Sequence, residues 1–152
     1  MKNCLILHGP NLNLLGDREP ALYGRHTLSD INEMLISEGE RLQVTVATKQ
    51  SNFEGELVSW IQEAEGKHDG IVINAGGYTH SSVAIRDALI ATNIPFVEVH
   101  MTNLAQRESF RQKSLLSDIA VGSIMGFGWR SYIHGLQSLI DFLNEREHAP
   151  NN

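Results

Sequence analysis

The chain has 152 residues, 41% of them apolar and 20% charged, with a formal net charge of −6 and a single cysteine. Such a length and mixture specify one soluble globular domain with a core of its own. The negative balance argues against nucleic acid or an anionic membrane as a partner, because both demand a basic face. One cysteine leaves no internal disulfide framework, and Cys4, inside the first apolar run, reads as a small core residue. The apolar run after Met1 is too short for a signal peptide, and no segment approaches a membrane span, so a cytoplasmic address is expected. Residues 1–145 read as a single catalytic domain and 146–152 as a loose C-terminal tail.

Asn3 to His8 is a short apolar run of the kind a buried parallel strand shows. It stops at Gly9-Pro10 and opens a loop punctuated by Gly9, Pro10, Gly16, Pro20 and Gly24. Leu12, Leu14, Leu15 and Leu22 tether that loop to a surface, so it reads as a lid rather than a disordered segment. The lid carries Asn11, Arg18 and Tyr23, which no core requires. A helix follows with Thr27 as N-cap and Leu28, Ile31, Met34 and Leu35 at helical spacing. Leu42 to Ala47 alternates and is rich in β-branched residues, giving a second strand. Ser51-Asn52 opens the second helix, with Leu57, Trp60, Ile61 and Ala64 inward. Ile71 to Ile73 is a third strand, ending at Asn74-Ala75-Gly76-Gly77.

The third helix starts between Thr79 and Ser82 and runs to about Ala91. Pro95 to His100 is a fourth strand, with proline at the first position, where it is tolerated. A short helical piece spans Ala105 to Phe110, Ile119 to Met125 is strand five, and a last helix carries Tyr132, Leu136, Leu139, Ile140 and Leu143 inward. Strands and helices alternate throughout, which predicts a parallel sheet covered on both faces. With five strands the expected architecture is an α/β, flavodoxin-like three-layer sandwich of order 2-1-3-4-5. Ligands of such sheets bind beyond the carboxyl ends of the strands, at the switch point between strands one and three. Asn11, Asn74 and His100 leave strands one, three and four at that end, so they are expected to converge on one crevice.

His100 ends the fourth strand, and Glu98, two residues earlier, shares its face by alternation. A carboxylate beside an imidazole fixes the tautomer and holds a proton on the ring, which suits a general acid. A hydrogen-bonded structural pair is the alternative, and the position at a strand's carboxyl end favours function. Tyr23 is a base only as a phenolate, since a free phenol stays protonated at neutral pH. Arg18, on the same lid and always charged, would supply the neighbouring cation. A tyrosine capping the loop beside a solvated arginine fits the spacing equally well.

His80, with Thr79, Ser81 and Ser82, stands at the start of the third helix, where free N–H groups suit an anion. Simple N-capping accounts for those hydroxyls too. Arg107 and Arg111 are four apart and share a face if one helix continues through both. Each would hold a ligand carboxylate or hydroxyl, or a nearby glutamate, and for Arg107 the surface reading is the better one. Gly126-Phe127-Gly128 before a helix lacks the third glycine of a dinucleotide fingerprint and has no second βαβ unit after it. No pair of histidines has zinc-site spacing, so no metal is expected.

Gly9-Pro10-Asn11-Leu12-Asn13-Leu14-Leu15-Gly16, with Arg18-Glu19-Pro20 and Tyr23-Gly24, closely resembles type II 3-dehydroquinate dehydratase. So do Gln50-Ser51-Asn52, Glu54-Gly55-Glu56-Leu57, Ile73 to His80, Ser82 to Ala88, Glu98-Val99-His100, Arg107-Glu108, Phe110-Arg111 and Ser114. The resemblance runs from the first strand to the last helix and leaves the C-terminal tail uncovered. It implies cofactor-free and metal-free dehydration of 3-dehydroquinate to 3-dehydroshikimate by anti elimination through an enolate. It further implies that Tyr23, as tyrosinate, takes the C2 proton while Arg18 stabilises the phenolate. Asn11 would hold a water at the enolate oxygen, and His100, oriented by Glu98, would protonate the leaving C1 hydroxyl. Asn74, His80 and Arg111 would bind substrate, with the backbone at Met101 and Thr102 receiving its carboxylate. Asp87 would reach a neighbouring subunit, since the family assembles trimers into dodecamers. Ala75, Gly77, Met101-Thr102 and Asp17 depart from the commoner residues of the family.

Overall fold

A computed structural model describes residues 1–17 and 19–149. Five parallel strands, β1 (Asn3–His8), β2 (Thr45–Gln50), β3 (Gly70–Asn74), β4 (Phe96–His100) and β5 (Gly122–Met125), form one sheet in the order β2-β1-β3-β4-β5. That is the flavodoxin-like order expected from the alternating elements. In chain order the helices are α1 (Pro20–Tyr23), α2 (Leu28–Arg41), α3 (Glu54–Ala64), α4 (Val83–Thr92) and α5 (Arg130–Glu147). Residues 150–152 of the expected tail lie outside the described residues.

Alternation along the central strands divides the core in two. Cys4, Ile6, Val72, Val97 and Val99 face α2 and α5, where Ile31, Leu35, Leu136 and Leu139 meet them. Leu5, Leu7, Ile71, Ile73 and Phe96 face α3 and α4, against Leu57, Ile61, Ile85 and Leu89. Both faces are buried, so the strands read as apolar runs. Register aligns the carboxyl ends: His8 pairs with Asn74, Ile73 with Glu98, and His100 with Met125. A residue leaving any of these strands therefore emerges at one level.

Local signals set the helix starts. Thr27 Oγ1 accepts from the Asp30 amide at 3.1 Å and Asp30 Oδ2 from the Thr27 amide at 2.9 Å, a reciprocal capping box on α2. Ser82 Oγ caps α4 by accepting from the Ile85 amide at 2.9 Å. Gly135 of α5 lies so close to the sheet that a Cβ there would meet Val99 Cγ2 at 2.6 Å.

Three boundaries differ from the sequence-based expectation. The second strand begins at Thr45 rather than Leu42, because Leu42 to Val44 close α2. Gln43 turns left-handed (φ 60°), and the Val44 amide donates back to the Gly39 carbonyl. Strand five begins at Gly122, since the amides of Ile119 and Ala120 donate to the Leu116 carbonyl in a turn. The expected single helical piece from Ala105 to Phe110 is two 3₁₀ turns, Leu104–Gln106 and Ser109–Arg111. Arg107 and Arg111 therefore do not share a helix face.

Candidate active site

Beyond the carboxyl ends of β1, β3 and β4 lies a crevice of about 150 Å³, the size of a small metabolite. Asn11 and Tyr23 line it from the β1 loop, Asn74 and His80 from the β3 end, and His100, Met101, Thr102 and Arg111 from the β4 side. Glu98 stands behind His100, fully buried. Asp87 does not line the crevice of its own subunit; it is exposed on α4. Arg18, the expected cation beside Tyr23, lies outside the described residues. A wider hollow of about 610 Å³ opens at the opposite end of the sheet, where Lys2 is spent on an ion pair to Glu147 at 2.5 Å. It gathers no comparable set of proton donors and acceptors from the strand ends.

The His100 wall is built from β4 outwards. Its Nε2 donates to Glu98 Oε2 at 2.7 Å, so Nδ1 is the nitrogen left for a ligand. Glu98 also accepts from Ser114 Oγ at 2.6 Å, from Ser123 Oγ at 2.8 Å and, closer still, from Ser117 Oγ. Burial pushes this carboxyl upward, but the bonds and charge of His100 and the serine hydroxyls outweigh it and hold its pKa down to about 2. The result is an ionised, buried carboxylate that accepts from every side. The three serines are absent from the sequence-based reading of the dyad, because they come from the segment before β5 and from β5 itself.

The opposite wall is the lid. Asn11 adopts the left-handed conformation (φ 68°) and its side chain makes no capping bond, while its amide donates to Asn52 Oδ1 at 3.0 Å. Gly9 lies against the end of β3, where a Cβ would meet the Ala75 carbonyl carbon at 2.5 Å. Tyr23 closes α1, whose ends are Glu19 at φ 42° and Gly24 at φ 83°. Among its contacts, the Tyr23 hydroxyl accepts from Arg107 Nη1 at 3.3 Å, with the guanidinium carbon 6.0 Å from the ring centroid.

Arg107 is thus a site residue that counting assigned to the surface. Its side chain is 15% exposed, and Nη1 also donates to Thr102 Oγ1 at 3.1 Å. The signal that points to it is position: like the other crevice residues, it follows a central strand's carboxyl end. Arg111 donates from Nε to Glu108 Oε2 at 2.6 Å, and His80 Nδ1 to the Lys113 carbonyl at 2.8 Å. Nε2 of His80 is left for a ligand. Among the described residues no group of three acidic, histidine or cysteine side chains is placed to hold a metal, and no helix is long and apolar enough to cross a membrane.

The crevice therefore pairs a carboxylate-anchored imidazole with a phenol held by a guanidinium, lined by amide and cationic groups. Residues 2–140 match the family model described as dehydroquinase class II. The 3-dehydroquinate dehydratase of Acaryochloris marina is 58% identical over 139 residues, covering 91% of this chain and 93% of its own. That of Gloeothece citriformis is 55% identical over 143 residues, 94% of each. The crystal structure of type II dehydroquinase from Butyrivibrio crossotus superposes with a TM-score of 0.89 at 41% identity, covering 91% of this chain and 97% of that one. The chain belongs to the class II dehydroquinase family.

Proposed function

We propose that this chain dehydrates 3-dehydroquinate to 3-dehydroshikimate by anti elimination through an enolate, in the shikimate route to aromatic amino acids. Tyr23, as phenolate, removes the C2 proton that the adjacent C3 ketone acidifies, and the electron pair moves onto the ketone oxygen. His100 Nδ1 then gives a proton to the C1 hydroxyl, the C1–O bond breaks, and water leaves as the enolate collapses to the enone. A water held by Asn11 donates to the enolate oxygen, an oxyanion-type stabilisation. The single observation that carries this reading is the pairing across the crevice of the His100–Glu98 dyad with a tyrosine in contact with a cation. Arg107 supports the phenolate, jointly with Arg18. Asn74, His80 and Arg111 hold substrate oxygens, and the backbone at Met101 and Thr102 receives its carboxylate. The ketone acidifies its own α-proton, so the chemistry asks for no metal or organic cofactor.

Residues 1–145 act as one catalytic unit of a cytoplasmic homo-oligomer, with a dodecamer of four trimers as the expected assembly. Val83 and Ile90 are 58% and 50% exposed on α4, and with Asp87 between them they form one helix face. Such a face suits a second copy, to whose crevice Asp87 would reach.

The competing mechanism is a Schiff base, which needs a lysine of depressed pKa in the site. The described lining of the crevice contains none. The test follows the ultraviolet rise of the enone product with chelator and with borohydride present. Turnover unaffected by either supports the elimination; a borohydride-trapped adduct or no turnover overturns it.

A further inference from the structure

Behind the crevice floor a chain of mostly buried polar groups runs from Asn74 to side chains that the elimination does not use. Asn74, 4% exposed, accepts at Oδ1 from the Gly76 amide at 3.1 Å. A backbone amide can only donate, so this contact fixes which end of the side-chain amide is oxygen. Nδ2 then donates to the Tyr132 hydroxyl oxygen at 3.0 Å. Tyr132 is completely buried on α5, and its one hydrogen goes to His8 Nδ1 at 2.8 Å. His8 must therefore carry its proton on Nε2, which donates to Asn32 Oδ1 of α2 at 2.8 Å.

Every donor points the same way, from Gly76 through Asn74, Tyr132 and His8 to Asn32. Each group has the hydrogen its neighbour needs, and the chain leaves one Nδ2 hydrogen of Asn74 for a ligand in the crevice. Burial keeps His8 neutral, its pKa pushed down to about 4 against the opposing bond to Asn32. The Tyr132 phenol is likewise kept protonated, because burial drives it far above its ordinary range despite the Asn74 bond.

We propose that Tyr132, His8 and Asn32 are positioning residues that lock the Asn74 amide with an N–H toward the crevice, so that the site selects a substrate oxygen that accepts there. This rests on the reading of Asn74 as a substrate contact. A site built to donate at one fixed point discriminates against an analogue lacking the matching acceptor, because its own donor is then left unpaired. A purely structural network would instead act on stability and leave binding untouched.

The test is steady-state kinetics on 3-dehydroquinate for the wild type, Asn74→Ala, Tyr132→Phe and the double variant, with thermal denaturation alongside. Tyr132→Phe removes the hydroxyl while keeping the ring, and KM is expected to rise about fivefold, the equivalent of one net hydrogen bond, with kcat nearly unchanged. The double variant is expected to be no worse than Asn74→Ala alone, since Tyr132 acts through that amide. Asn32→Ala, at a half-buried helix position, is the second probe should Tyr132→Phe fail to fold. Its KM rises about twofold, an effect that disappears in the Asn74→Ala background. Unchanged KM in either folded variant, or effects that add in full to Asn74→Ala, overturns the proposal. A wild type without turnover overturns the dehydratase reading as well, so the two failures are distinguishable.

Discussion

The two walls of the crevice are built on opposite principles. His100 and Glu98 sit at the end of a fully buried strand, and the carboxylate accepts from one imidazole and three serines. Nothing there has to move. Tyr23 closes a four-residue helix without a single buried residue, entered and left through positive-φ residues. Its half-buried ring packs against the core beside α2 and α5, and its hydroxyl reaches Arg107. The contrast teaches that the proposed acid is preorganised by burial, whereas the proposed base is carried on a short lid helix with no fully buried residue.

The comparison breaks most visibly at Tyr23. Tyr23→Phe removes the proposed base and should lower kcat by about 10³-fold, the range of one general base, while Tm stays near wild type because the ring that packs against the core is kept. A fall in Tm with activity retained would reverse the assignment of the two walls. On the other side, the His100 wall should be visible in stability. Glu98 ionises in the folded chain with a pKa of about 2, below its ordinary 4.5. The unfolded chain therefore binds the extra proton between those values, and stability is present above pH 4.5 and lost as pH falls toward 2, by about 3 kcal/mol. Neutral His8, with its pKa lowered from 6.5 to about 4, contributes in the same direction over the window from pH 6.5 down to 4. Urea unfolding across pH should show both windows, with Glu98→Gln flattening the lower one and leaving the upper. The smallest expected effect is at the junction of the walls. Arg107→Ala takes the cation from Tyr23 and the donor from Thr102, so kcat should fall about 10- to 100-fold. A change in KM alone would make Arg107 a substrate contact only.

Much of this is legible in the sequence alone. Apolar runs bounded by glycine and proline placed β1, β3 and β4, and alternation put Glu98 and His100 on one face. Misplacement occurred where apolar residues served something other than a strand. Leu42 and Val44 read as strand because they alternate, but they close α2 through a left-handed Gln43. Arg107 read as surface because charge is usually solvated, and only the fold brings it 84 residues along the chain to Tyr23. Ser114, Ser117 and Ser123 carry no spacing signal, since three separate points of the chain meet at one carboxylate. Tyr132 was legible as core but not as polar: periodicity reports the face a residue occupies, never the partner of its hydroxyl.

The most direct test of a base and an acid working from opposite walls is stereochemical. 3-Dehydroquinate carrying deuterium at one or the other C2 position is turned over, and the product is weighed by mass spectrometry. Deuterium should be lost when it lies trans to the C1 hydroxyl and retained when cis. Loss of the cis label would contradict the account, because a single wall would then be doing both proton transfers.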